Sequence, residues 1–336
     1  MRATARSRRT AGAFLVVALA FVSACGGSER GEGTTARVAG QAASAGEAAY
    51  PVTVRNCDAD YTFTKPPERV VSSSVPATEL LLALGLERSL VGVVGAPGVL
   101  LPELQPKMAG VNVITERTFP PVGKEAVLAV NPDLVVAGYG EDFAETAVGD
   151  RGALRAVGVN SYLVQGRCGD GRVPATLDDT YADIENLGRI FDARPAAAAL
   201  VARLKAEVAS APSATGRPKV LIYAAGKEQP STQGATSLVA DLVARAGGQN
   251  VFPEITSYGR FNWEAAVERN PDVILVVTTG SFPLAAAEEF LASYEPIAGV
   301  SAVRNKRVVS VGVNDVQPGV RNGQALVTIA RGLVGG

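Results

Sequence analysis

Two stretches of this chain carry the same phrase: Glu125-Ala-Val-Leu-Ala-Val-Asn131-Pro132-Asp133-Leu-Val-Val136 and Glu264-Ala-Ala-Val-Glu-Arg-Asn270-Pro271-Asp272-Val-Ile-Leu-Val276. In each, a Glu stands seven residues before the Pro, and Asn-Pro-Asp opens an apolar β-branched run. A Pro ends a helix and a β-branched run reads as a strand. An internal repeat constrains architecture more than any single residue does. Here it predicts an α/β fold of two similar lobes with a cleft between them.

Outward from each phrase, strand and helix alternate. Residues 70–73, 90–94, 133–137 and 161–164 read as strands, and 79–86, 125–130 and 154–157 as helical runs. The order restarts with a strand at 219–223, a helix at 236–246 closed by Gly247-Gly248, strands at 272–277 and 307–311, and a closing helix at 324–333. Such alternation builds doubly wound parallel sheets with helices on their faces. Between the halves, Thr176 and Asp179 form a capping pair for a helix over 177–191. Pro195 starts a second helix, read as the link between lobes, whose Leu200, Val201, Leu204 and Val208 recur at helical spacing. Ahead of all this, 50–54 and 61–64 alternate with period two and predict a β-hairpin. The expected division is a signal peptide at 1–24, a tether at 25–49, lobes at 50–176 and 216–336, and a helical linker at 177–215.

The 336 residues, 47% hydrophobic, suffice for two cored lobes. The first residues stand apart. Arg2, Arg6, Arg8 and Arg9 precede an apolar run, 11–22, that is short of the about 20 residues a bilayer span needs. It ends Val22-Ser23-Ala24-Cys25-Gly26, which resembles a bacterial lipobox and implies lipid on Cys25. Loss of 1–24 removes four Arg and no acid, taking the formal charge from −1 to −5. That balance gives no electrostatic reason to bind nucleic acid. With Cys25 lipidated, Cys57 and Cys168 remain as an even pair in an oxidising compartment, which predicts a disulfide; two free thiols are the alternative. The absence of histidine removes Ser-His-Asp and Cys-His catalysis and the usual His-rich metal sites. No catalytic residue and no protein-bound metal is expected.

Ligands of open parallel sheets sit beyond the carboxyl ends of the strands. Those ends supply Ser74, Tyr139, Tyr223, Thr279 and Asp315 as cleft candidates. Arg117, Arg260 and Arg321 lie in nearby Pro- or Gly-containing loops, flanked by Phe119, Tyr258 and Trp263. These rings supply stacking area for a large conjugated ligand, or pack beneath their own loops. Dinucleotide and Walker fingerprints fail: Phe143 stands where a third Gly is needed, and Gly226-Lys227 lacks its Ser or Thr. Glu125 and Glu264 admit two readings. A carboxylate in a first helical turn is favoured by the macrodipole, and a matched pair of acidic knobs suits a two-fold partner carrying Arg.

Pro66-Pro67-Glu68-Arg69-Val-Val-Ser72, then Pro76-Ala-Thr78-Glu79-Leu-Leu-Leu-Ala-Leu-Gly85, resembles the iron–siderophore/cobalamin class of periplasmic substrate-binding proteins. Both Asn-Pro-Asp phrases and Leu187-Gly188-Arg-Ile-Phe191 are similar to that class as well, so the likeness spans about residues 50–336. The resemblance implies two lobes joined by one long helix, a ligand between them, and delivery to an ABC permease dimer with its cytoplasmic ATPase. It also implies that Glu125 and Glu264 engage Arg of the permease. A monomer, lipid-anchored outside the cytoplasmic membrane and free of cofactors, follows as the expectation. The expected ligand is a ferric siderophore-type chelate or another large anionic metabolite. Cobalamin, haem and a deazaflavin precursor are alternatives; an extracellular enzyme and a ligand-sensing lipoprotein are readings of other classes.

Overall fold

The computed structural model describes residues 50–335 apart from residue 58. The signal peptide, Cys25 and nearly all of the tether lie outside the described residues. Strands β1 (Val52–Asn56) and β2 (Ala59–Phe63) pair antiparallel as the predicted hairpin. Val52, Val54, Tyr61 and Phe63 face the core, and their alternates face solvent.

The first sheet is built from β3 (Val70–Ser72), α1 (Val75–Ala83), β4 (Leu90–Val94), β5 (Val113–Thr115), α2 (Lys124–Leu128), β6 (Leu134–Ala137), α3 (Arg151–Ala156) and β7 (Asn160–Leu163). Its five strands run parallel in the order β5-β4-β3-β6-β7. Helix α1 starts at Val75, four residues before the helical run predicted at 79–86. Ser74 accepts the Ala77 N–H and Pro76 sits in the first turn, where its missing donor costs nothing. Every residue from Val75 to Leu82 is buried, Glu79 included, so α1 is an internal helix.

The link is a helix pair, α4 (Leu177–Ile190) and α5 (Arg194–Ala209), packed on each other. The Thr176–Asp179 capping box forms as predicted. Helix α4 ends beside the hairpin, where the Tyr50 hydroxyl donates to the Ile190 carbonyl at 2.7 Å. The connection between the sheets is therefore two helices rather than a single rod.

The second half comprises β8 (Lys219–Tyr223), β9 (Ser231–Gln233), α6 (Leu238–Arg245), β10 (Gln249–Asn250), β11 (Tyr258–Arg260), α7 (Trp263–Arg269), β12 (Val273–Thr278), α8 (Leu284–Ser293), α9 (Ser301–Arg304), β13 (Val308–Gly312) and α10 (Asn322–Val334). Its sheet runs β10-β8-β12-β13, all parallel. Strands β9 and β11 form a separate antiparallel ribbon. Helix α5 lies on α10, so the link packs on the second half.

The repeated Asn-Pro-Asp has one mechanical role in both sheets. Asn131 and Asn270 take left-handed backbone, at φ 46° and 45°, which Asn tolerates better than most residues. The Pro then prevents the helix from continuing. Asp133 accepts the backbone N–H of Glu68 and Arg69 at 2.8 and 3.0 Å, tying the start of β6 to the start of β3. Asp272 accepts the Lys219 N–H at 2.8 Å, tying β12 to β8. A basic side chain closes each corner: Arg69 donates to the Val130 and Asn131 carbonyls, and Lys219 to the Arg269 carbonyl. The phrase is thus a clamp that registers neighbouring strands at their amino ends.

Candidate functional site

A cavity of about 340 Å³ opens between the carboxyl-end loops of the two halves. The first sheet contributes Tyr139 to Glu141 after β6 and Gly166-Arg167 after β7. The second half contributes Gln233, Thr236 to Leu238, Tyr258 and, beyond β13, Gln317-Pro318.

Arg167 is the cation on this wall, and several contacts hold its segment in place. Asn56 of the hairpin donates to the Leu163 carbonyl at 2.7 Å and accepts the Leu163 N–H at 2.9 Å, docking the hairpin on the end of β7. Asp183 of α4 accepts the Gln165 N–H and the Tyr162 hydroxyl, the latter at 2.6 Å. A Cys57–Cys168 disulfide then staples the next residue to the hairpin turn. Arg167 stands between these fixed points, its guanidinium carbon 5.1 Å from the centre of the Tyr139 ring.

The electrostatics of this corner are unusual. The Nε of Arg167 is shut off from solvent and makes no hydrogen bond. Burial pushes the Arg167 pKa down, while Tyr139 and Glu141 hold it up. Burial likewise raises the Tyr139 hydroxyl, opposed by Arg167. Asp183 is raised to about 7 because burial outweighs the hydrogen bonds from Tyr162 and Gln165. Opposite, the Gln317 side-chain oxygen is buried without a partner. Among the described residues, no group of three or more His, Cys, Asp or Glu is placed to hold a metal ion.

The predicted site residues divide. Tyr139 and Tyr258 line the cavity. The Tyr258 hydroxyl donates to Ser231 at 2.6 Å. Arg117 and the 83%-exposed Phe119 follow β5, at the sheet edge opposite β7. Arg260 is exposed on β11 and donates to Gln229. Thr279 shapes a turn by accepting the Phe282 N–H, and Ser74 is spent on capping α1. Trp263 and Tyr223 are buried together with rings 5.3 Å apart, so they support the second half from beneath. Trp263 donates to the Lys227 carbonyl beyond β8, and Tyr223 to the Gly226 carbonyl.

Arg321 has a role the sequence reading did not foresee. It makes a two-pronged ion pair with the fully buried Glu79 at 2.6 and 2.8 Å, and also donates to Asp315 and the Val99 carbonyl. It joins α10 to α1 across the two halves and, with Asp315, lines a second cavity of about 380 Å³. Glu79 gave no signal because it lay inside a leucine run. Arg167 was missed too, although it stands beside Cys168 and just beyond a predicted strand end, which was the signal available.

Glu125 and Glu264 are both exposed, each in the first turn of its helix. Among the described residues neither has an ion-pair or hydrogen-bond partner. Each helix leads into the amino end of a strand, so each Glu lies toward the cleft side of its sheet.

Residues 70–313 match the periplasmic binding protein family. The chain belongs to that family. It is a substrate-binding protein of the kind that serves ABC importers, working outside the cytoplasm with permease and ATPase partners. It is 25% identical over 282 residues to the cobalamin-binding protein of Halobacterium salinarum, spanning 81% of this chain and 71% of the relative. YvrC of Bacillus subtilis, an uncharacterized ABC transporter substrate-binding lipoprotein, is 26% identical over 270 residues, 78% of each chain. The structure of an ABC-type Fe3+-hydroxamate transport system from Saccharomonospora viridis superimposes with a TM-score of 0.72 at 25% identity, over 84% of this chain and 99% of that one.

Proposed function

We propose that this chain captures a chelated iron compound of siderophore type, or a similarly large metabolite, and hands it to its permease without chemical change. The observation that carries this is the cavity between the carboxyl ends of two parallel sheets, the place where such folds hold ligands. The likeness to the Fe3+-hydroxamate system supports a ferric chelate, and the likeness to the Halobacterium protein keeps cobalamin as the competing cargo. A lipid on Cys25 would tether the protein to the outer face of the membrane, a reading that similarity to the lipoprotein YvrC supports. The protein acts as a monomer that presents Glu125 and Glu264 to Arg residues of a two-fold permease. Their matched spacing, exposure and lack of partners support that role.

The test reverses both charges, Glu125→Arg with Glu264→Arg, and follows cargo uptake by cells alongside cargo binding by the purified protein. Uptake should fall to background with binding unchanged. Unchanged uptake would refute the docking role. Thermal-shift screening of ferric hydroxamates, catecholates, cobalamin and haem decides the cargo, because a ligand of the folded form raises its melting temperature.

A further inference from the structure

We infer that Arg167 is the anion receptor of the cleft, and that the cargo presents a carboxylate or phosphate to it beside a group that hydrogen-bonds Gln317. This deepens the proposed function by assigning the recognised chemistry to residues. A buried cation without a carboxylate or hydrogen-bond partner destabilises the empty protein, because its desolvation is uncompensated. Arg167 approaches that state: the residue is half-buried, its Nε is shut off from solvent without a hydrogen bond, and its ring contact is with Tyr139. Glu141 lines the same cavity and is felt electrostatically, but makes no ion pair with it. The planar guanidinium is suited to two-pronged recognition of a carboxylate or phosphate.

Two further observations point to a ligand. Gln317, whose side-chain oxygen is buried without a partner, lines the same cavity from the other half of the molecule. One molecule bound in the cavity would meet Arg167 from one half and, once the Gln317 amide turns, its unpaired oxygen from the other. The segment carrying Arg167 is also fixed on both sides, by Asp183 at Gln165 and by the disulfide at Cys168. A merely solvated Arg has no need of such anchoring, whereas a receptor gains affinity from being held in place.

The test uses purified protein with 15N-labelled arginine. The Arg167 Nε–Hε signal is identified by its loss in Arg167→Lys. Sodium citrate and inorganic phosphate are titrated separately, to distinguish carboxylate from phosphate recognition. The Arg167 signal should move saturably with at least one of them. Arg167→Gln should weaken that binding about tenfold or more, as expected for a charged hydrogen bond, and Gln317→Leu a few-fold. Without anion, Arg167→Gln should melt no lower than the natural protein, since it removes a half-buried charge that has no ion pair. A signal unmoved at millimolar concentrations of both anions would overturn the inference. So would binding retained in Arg167→Gln, or a lower melting temperature of that variant without anion. These readouts do not involve the permease, so they stand or fall separately from the charge-reversal uptake test.

Discussion

The two sheets are alike at their amino ends and different at their carboxyl ends. At the base, Asp133 and Asp272 make the same bond to the neighbouring strand, behind the same left-handed Asn and the same Pro. At the cleft, the first half holds an unpartnered Arg167 on a doubly anchored segment, while the second offers Gln317 and Tyr258. Clamping a strand is one problem with one solution, so the duplicated residues persist. Binding an unsymmetrical ligand poses a different problem on each wall.

The halves are bolted together by the Glu79–Arg321 ion pair. Glu79→Gln leaves Arg321 with Asp315 as its one remaining carboxylate, at 3.2 Å, and should cost about 1–3 kcal/mol in denaturant unfolding. A cost below 1 kcal/mol would mean that this ion pair does not join the halves. Next is the disulfide, which has no counterpart in the second half among the described residues. Cys57→Ser with Cys168→Ser should cost about 2–5 kcal/mol. It should also weaken citrate binding if the staple positions Arg167.

Asp183 sharpens the difference through pH. Its folded pKa, about 7, lies above its ordinary value of 3.8, so the native state holds this proton more tightly than the unfolded state does. Its stabilising contribution is full below pH about 4 and is lost as pH rises through about 7. Asp183→Asn should flatten that part of the stability–pH curve; an unchanged slope would contradict the burial account. The strand clamps differ less. Asp133 accepts two backbone N–H groups and Asp272 one, so Asp133→Ala should cost about 1 kcal/mol more than Asp272→Ala. Phe119→Ala, at an exposed tip, should change stability by less than about 0.5 kcal/mol.

The architecture was legible because it rests on periodic apolar runs and local stop signals. The strand at 219–223 and the Thr176–Asp179 cap stand where the sequence places them, and the Cys57–Cys168 pairing is present. The β9–β11 ribbon was not legible, because its strands are three residues long and carry Gly259. The cleft was read only in part. Tyr139 and Tyr258 lie on the cavity, whereas Arg321 and Trp263 fill packing and ion-pair roles set by residues distant in sequence. Arg321 meets Glu79 across 242 residues, a separation that no local pattern encodes.

On this reading an anionic molecule sits between the two sheets and bridges them. Native mass spectrometry of protein purified without denaturation tests it most directly. One added small molecule per chain is expected, released on denaturation, carrying a carboxylate or phosphate, and lost from Arg167→Gln. A bound molecule that lacks any anionic group, or that remains on Arg167→Gln at equal occupancy, would contradict it.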